Sequence, residues 1–338
     1  MLERARASTY RVRAFRAAAN ALAGRDDLDA LAGGKALSSV KGVGKTTERC
    51  IRQSLAGDEP EYLRQLEAEM ASGSTPTEAE VDAVPTLTGS AEALRAALRG
   101  DCHSHSDWSD GGSPIEEMAR TARDLGHEYL VLTDHSPRLT VANGLSADRL
   151  RRQLDVVARL NSQLAPFTIL TGIEVDILED GTLDQDEELL AELDLVVASV
   201  HSKLRMPAAE MTERMLTAVA NPHTDVLGHC TGRRMVGQGR RPESQFDAAA
   251  VFAACAEHGV AVEVNCRPDR LDPPKRLLRQ ALAAGCRFAI DTDAHAPGQL
   301  DWLPYGCERA ADCAVPPERV VNTWAATELR AWTGRGAV

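Results

Sequence analysis

The sequence predicts an α/β protein, a parallel strand-and-helix domain preceded by a small all-α module. Three observations predict it. From Ala91 onward, seven short β-branched runs alternate with helical patterns, the signature of a parallel α/β architecture. Six of the seven end on or beside a histidine or an acid, and the carboxyl ends of parallel strands are where such architectures build their sites. Residues 1–66 instead read as helix and carry twelve Lys/Arg against eight Asp/Glu, so the chain's net charge of −12 divides into a basic head of +4 and an acidic remainder of −16. That split points to two modules with different partners.

The length of 338 residues fits one α/β domain of about 200–250 residues plus a smaller module. Hydrophobic residues make up 43% and charged residues 26%. No apolar run reaches the roughly 18 residues of a membrane span, which excludes a membrane protein. The arginine-rich N-terminus lacks the apolar stretch of a secretory signal, so a cytoplasmic location is expected. Eight cysteines without a C-x-x-C pair argue against a zinc ribbon or a disulfide framework and are expected to be reduced.

In chain order, apolar spacing predicts a helix from about Ala7 to Ala23 and a short one over Leu28 to Leu31, stopped by Gly33-Gly34. Gly42-Val43-Gly44-Lys45-Thr46 then forms a tight turn before an amphipathic run to Leu55. A nucleotide-binding phosphate loop would need glycine at 39, where this chain has Ser39. The stretch from Ala71 to Ser90 is rich in Ser, Thr, Gly and Pro and reads as a linker. The strands are expected at Leu98–His103, Tyr129–Asp134, Phe167–Ile173, Leu195–His201, Asp225–His229, Val260–Asn265 and Arg287–Asp293.

Asp101-Cys102-His103-Ser104-His105 puts two imidazoles two residues apart at a strand end, and positions i and i+2 of an extended chain point the same way. Both can therefore grip one ion, while the following loop can swing Asp110 to a neighbouring one. His135, Glu174, His201, His229, Asp293 and His295 each follow or close another strand-like run. Imidazole with carboxylate suits Zn²⁺, Mn²⁺ or Fe²⁺ better than Mg²⁺ or Ca²⁺. Asp134 and Asp176, and with them Asp291, are expected to orient the ligands. His127, His223 and His258 fall outside these motifs and are expected on the surface or at caps.

The ordered motifs DCHSHSDWSDGG, TDHS, GIEVDI, SVHSK, GHCTGR and DTDAH resemble those of the PHP (polymerase and histidinol phosphatase) phosphoesterase superfamily over about residues 98–332. Thr231-Gly232-Arg233 and the stretch from Val264 to Asp272 liken it to the PHP domain attached to bacterial family X DNA polymerases. The resemblance implies a distorted (β/α)7 barrel holding two to three divalent metals. It implies that His103, His105, Glu174 and Asp293 hold the first, that Glu174 bridges to a second completed by His201 and His229, and that Asp110, His135 and His295 hold the third. Cys102 and Cys230 depart from the family's usual residues without touching that ligand set.

The Gly42–Gly44 turn looks like a helix-hairpin-helix, whose backbone N–H groups at a helix N-terminus meet a DNA phosphate. Gly42, Gly44 and Lys45 are the candidate DNA contacts, and Glu48 stands where such hairpins usually carry a small residue. Residues 5–66 resemble the small N-terminal domain of family X polymerases, but no palm domain of about 200 residues separates them from the barrel. The expected organisation is a hairpin domain at 1–68, a linker at 69–95 and the phosphoesterase at 96–335. The expected activity is metal-dependent phosphoric ester hydrolysis at DNA 3′ ends, as a 3′–5′ exonuclease or 3′-phosphatase. Glu174 would share two metals, and Arg233, then Lys203, Arg267 and Arg270, would neutralise the phosphate oxygens. The alternative is a phosphatase of small phosphomonoesters of the histidinol-phosphate type, and a third reading is a non-catalytic DNA-binding scaffold. No protein partner can be inferred.

Overall fold

A computed structural model describes residues 2, 9–32, 37, 39–72, 84–235 and 240–334. The chain forms two compact units, residues 1–83 and 84–338, and their division falls inside the segment read as linker. Residues 73–83 of that segment lie outside the described residues, as does the Gly33-Gly34 stop. Both ends of the segment are helical: Glu61–Ser72 runs into it and Gly89–Ala97 closes it. Ala91 and Leu94, three apart on one helical face, are buried where the latter helix packs on Leu303–Asp312.

In the first unit, helices Thr9–Leu22, Leu28–Ala32 and Glu61–Ser72 each touch a central helix, Lys45–Leu55. Its inward face is Thr47 and Cys50, one turn apart, and Phe15 stacks on Tyr62 at 5.2 Å. Gly42 adopts φ +100°, and a Cβ there would lie 3.1 Å from the Ala17 carbonyl oxygen. Only glycine turns the chain this way at no steric cost. Gly44 caps the central helix and donates its N–H to Thr47 Oγ1 at 2.8 Å.

All seven expected runs become strands of the second unit: β1 Gly100–Ser104, β2 Tyr129–Leu132, β3 Thr168–Asp176, β4 Leu195–Ser199, β5 Val226–Leu227, β6 Ala261–Asn265 and β7 Arg287–Asp291. They pair in chain order, every pair parallel. Parallel neighbours need crossover helices, which cover the outer face and leave the strands buried on both sides. Leu130 and Leu132 accordingly pack with helix residues such as Met118 and Val157. Tyr129 and Val131 join residues from the other strands, among them Leu170, Val197 and Ala289.

A backbone bridge and two side chains close the seam where β7 returns to β1. Ser104 bridges Ala294, Asp291 Oδ1 accepts the Cys102 N–H at 2.8 Å, and Asn322 Nδ2 donates to the carbonyls of Gly100 and Ile290. The result is a nearly closed α/β barrel. No helix among the described residues is long and apolar enough to cross a membrane, and all eight cysteines are free and buried.

Candidate metal centre

The polar residues of this barrel gather where the strands end. β1 carries a bulge: Asp101 pairs with Leu130 but Ser104 with Leu132, so three steps on one strand face two on the other. A bulge of this kind re-aims a strand's side chains, here around Cys102 and His103. Beyond β1, the N–H groups of Gly111 and Gly112 bond Ser106 O and His295 O, and a Cβ on Gly111 would lie 2.5 Å from Ser106 O. The glycines after Asp110 thus let the loop fold back onto the β7 end.

Glu174, on β3, is the centre of the cluster. Its Oε2 lies 3.3 Å from His103 Nε2, 3.6 Å from His105 Nε2 and 2.8 Å from His135 Nδ1. Its Oε1 lies 3.2 Å from His201 Nε2 and 2.9 Å from His229 Nε2. Five imidazoles from four segments, the ends of β1, β2, β4 and β5, therefore converge on one buried carboxylate. Asp293 Oδ1 is 3.4 Å from His105 Nε2, and Asp110 Oδ1 stands 3.5 Å from His135 Nε2 and 3.3 Å from His295 Nε2. All nine candidate ligands are brought together. Asp293 adopts φ +51°, a left-handed conformation that a residue with a Cβ keeps only where its surroundings fix it. Here Asn265 Nδ2 and Arg270 Nε approach its Oδ2 at 3.2 and 3.4 Å.

Both Glu174 oxygens, His103 Nε2 and both nitrogens of His105 and His201 are buried without a hydrogen-bond partner. Buried polar atoms are costly when left so. Cations answer this need: two ligand bonds of about 2.1 Å at a tetrahedral angle hold their donors about 3.4 Å apart, the spacing observed here. Three groupings meet the donor requirement, namely His105 with Asp110, His135 and His295; His103 with His105 and Glu174; and His135 with Glu174 and His201.

The electrostatics show one crowded field. Burial alone would raise Glu174, but His201, His103 and His135 hold it well below the usual carboxylate range. Burial lowers His201, yet the carboxylates of Glu174 and Asp176 lift it to about 9. His105 is driven well below its ordinary value by burial and by His295 and His135, which favours the neutral imidazole that can act as a ligand.

Around these donors stands a layer of orienting groups. Asp176 Oδ1 faces His201 Nδ1 at 3.4 Å and accepts the His201 N–H at 3.1 Å. Asp134 accepts from Ser106, Ser109 and Gln153, which orders the loop between His105 and Asp110. Asp291 is part of the β1–β7 seam. Sequence reading missed Glu263 on β6, which binds His103 Nδ1 at 2.6 Å and accepts the His229 N–H. The available signal was an acid inside the otherwise apolar run Ala261–Val264. His127 corrects another expectation: it is not a surface residue but is buried, and burial with Arg95 nearby lowers it to about 4. Cys102 and Cys230 are buried thiols pushed well above their ordinary value by burial, and neither joins a donor grouping.

The candidate phosphate contacts are placed unequally. Arg270 Nε and Nη1 are buried without a hydrogen-bond partner beside Asp293, and Arg267 Nη1 lies 3.5 Å from Asp293 Oδ1. Arg233 donates from Nε to Arg270 O at 2.9 Å and from Nη2 to Leu271 O, so its guanidinium holds the turn that carries Arg270. Lys203 is 63% exposed and pairs loosely with Glu179 at 3.9 Å. In the other unit, Gly42 and Gly44 form the turn already described, and Lys45 is exposed.

A seven-stranded parallel barrel with clustered imidazole and carboxylate donors at one mouth defines a protein with a candidate metal site. The model of the PHP domain matches residues 101–267. A protein of Aliivibrio fischeri named "Probable phosphatase" is 33% identical over 234 residues, covering 66% of this chain and 88% of its own length. The chain belongs to the PHP phosphoesterase family. The DNA polymerase/3′-5′ exonuclease PolX of Bacillus subtilis is 38% identical over 253 residues, which are 75% of this chain but 44% of that protein. The solved histidinol phosphate phosphatase of Lactococcus lactis, complexed with zinc, L-histidinol and phosphate, matches with TM-score 0.46 and 18% identity over 64% of this chain and 92% of that one.

Proposed function

We propose that the protein is a metal-dependent phosphoesterase acting at DNA 3′ ends, as a 3′–5′ exonuclease or 3′-phosphatase. The observation that carries the reading is the convergence of five imidazoles on the two oxygens of Glu174 within 3.6 Å. The nine donors would hold two to three cations of Mn²⁺, Zn²⁺ or Fe²⁺, which when bound supply Lewis acidity and a water acidified toward neutrality. The protein's own groups do the rest. Glu263 fixes His103 through Nδ1 and leaves Nε2 facing inward, while Asp176 holds His201 by its backbone N–H, with Nε2 turned toward Glu174. Arg270 offers two buried N–H groups to the phosphate oxygens as charge develops, and Arg233 sets its position through the carbonyl of Arg270.

Arg270→Ala is therefore expected to lower turnover by about 10²-fold, the size of one lost charged contact to the transition state, with metal content unchanged. Loss of metal in the variant would make Arg270 part of the ligand framework instead.

The DNA part of the reading is supported by the polymerase–exonuclease relative and by the glycine turn. The Gly44 N–H already serves Thr47 Oγ1, so the donors left for a phosphate are the N–H groups of Lys45, Thr46 and Thr47, which open the helix and have no acceptor within it. Replacing Gly42 and Gly44 together by alanine is expected to lower activity on a 3′-labelled oligonucleotide and weaken its salt dependence. Hydrolysis of p-nitrophenyl phosphate should stay unchanged. Equal DNA activity would make the head a packing module.

A second reading, a phosphatase of small phosphomonoesters, is favoured by the charge of −16 carried by residues 67–338, which repels a long polyanion. Turnover of the manganese-loaded protein on the oligonucleotide beside histidinol phosphate separates the two. Preference for histidinol phosphate by kcat/KM would replace the first reading with the second.

A further inference from the structure

Outside the donor cluster, the acidic barrel unit has a cavity of the opposite sign. It has a volume of about 810 Å³ and is lined by Arg233, Arg234, Arg240, Arg241 and Arg276, opposed by the single carboxylate of Glu243. That size suits a ligand site, but an apolar ligand would find five guanidinium groups on its walls. The acids present do not neutralise them. Glu243 is shared between Arg276 and Arg233, and Arg234 pairs with Asp269 at 3.0 Å. Burial, then the positive charge of Arg270 and Arg234, pushes Arg241 down to about 10, so the cations here repel one another. Guanidinium forks held in this way match phosphate oxygens.

The cavity also adjoins the site of chemistry. Arg233, on its wall, donates to the Arg270 carbonyl at 2.9 Å, and Arg270 Nε lies 3.4 Å from Asp293 Oδ2. A ligand that reacts at the donor cluster and reaches into the cavity would meet guanidinium groups suited to a second phosphate. We propose that this cavity is a second phosphate subsite, taking the backbone phosphates that precede the 3′-terminal ester of a DNA strand. The barrel then grips the strand beside the place where it cleaves it. Positive grooves that track a single-stranded backbone bind through such contacts. This inference rests on the DNA-end reading above.

The test is the double charge reversal Arg240→Glu with Arg276→Glu in the full chain. Arg240 is exposed and Arg276 is 63% exposed, so the fold is expected to survive, checked by circular dichroism and metal content. Catalytic efficiency on a 3′-labelled oligonucleotide should fall at least about 10-fold at low salt. The slope of its logarithm against log salt should shrink by about 1, since each single-strand phosphate contact contributes roughly 0.7. Turnover of p-nitrophenyl phosphate should stay within about two-fold, because that ester has no second phosphate to place in the cavity. If wild type and variant cleave DNA equally well with equal salt slopes, the subsite is overturned while the DNA reading stands. If the wild type turns over p-nitrophenyl phosphate but no oligonucleotide, the DNA reading falls, and the ligand assigned to the cavity falls with it.

Discussion

Glu174→Gln is expected to lower turnover of p-nitrophenyl phosphate by about 10³-fold or more, a loss typical of a group on which the whole electrostatic framework depends. Glutamine keeps the size of the side chain, so packing around β3 is retained. It removes the charge that faces five imidazoles and replaces one carboxylate oxygen with an amide nitrogen that cannot accept or ligate. The loss should appear in kcat and should not be rescued by more substrate. Activity equal to wild type would remove the shared carboxylate from the mechanism.

Stripping the protein of metal with a chelator is expected to abolish hydrolysis, and adding Mn²⁺ or Zn²⁺ should restore it. The same treatment should lower thermal stability, a readout independent of activity. Both Glu174 oxygens, His103 Nε2 and the ring nitrogens of His105 and His201 are buried and lack partners, so cations are expected to bind the native state and not the unfolded one. At 1,000-fold excess over Kd such binding is worth about 4 kcal/mol per site, which in a domain of this size is about 10 °C in Tm. An unchanged melting temperature after complete metal removal would mean that the donor cluster is self-sufficient.

Much of this was legible in the sequence, because parallel strands are buried on both faces and so read as apolar runs, and because imidazoles at their ends have few structural reasons to be there. All seven strands stand where those runs fall, though Asp225–His229 contracts to two paired residues, Val226–Leu227. The six motif histidines meet in one cluster, as their order suggested. What sequence could not carry was long-range placement. Glu263 looks like a stray acid in a strand until the fold sets it against His103 Nδ1 from 160 residues away. Arg233 and Arg270 are indistinguishable as isolated arginines, yet one is tied to backbone carbonyls and the other lies buried beside Asp293 with Nε and Nη1 lacking a hydrogen bond. The arginine cavity joins Arg233, Arg234, Arg240 and Arg241 to Arg276, a proximity no local pattern encodes. His127 reads as a surface or capping histidine, but the turn after helix Ile115–Asp124 carries it inside.

Elemental analysis of the purified full-length protein tests the proposed centre most directly. Nine donors arranged around Glu174 and Asp110 should retain two to three equivalents of manganese, zinc or iron per chain after expression in metal-replete medium. Well under one equivalent would contradict a metal centre at this barrel mouth.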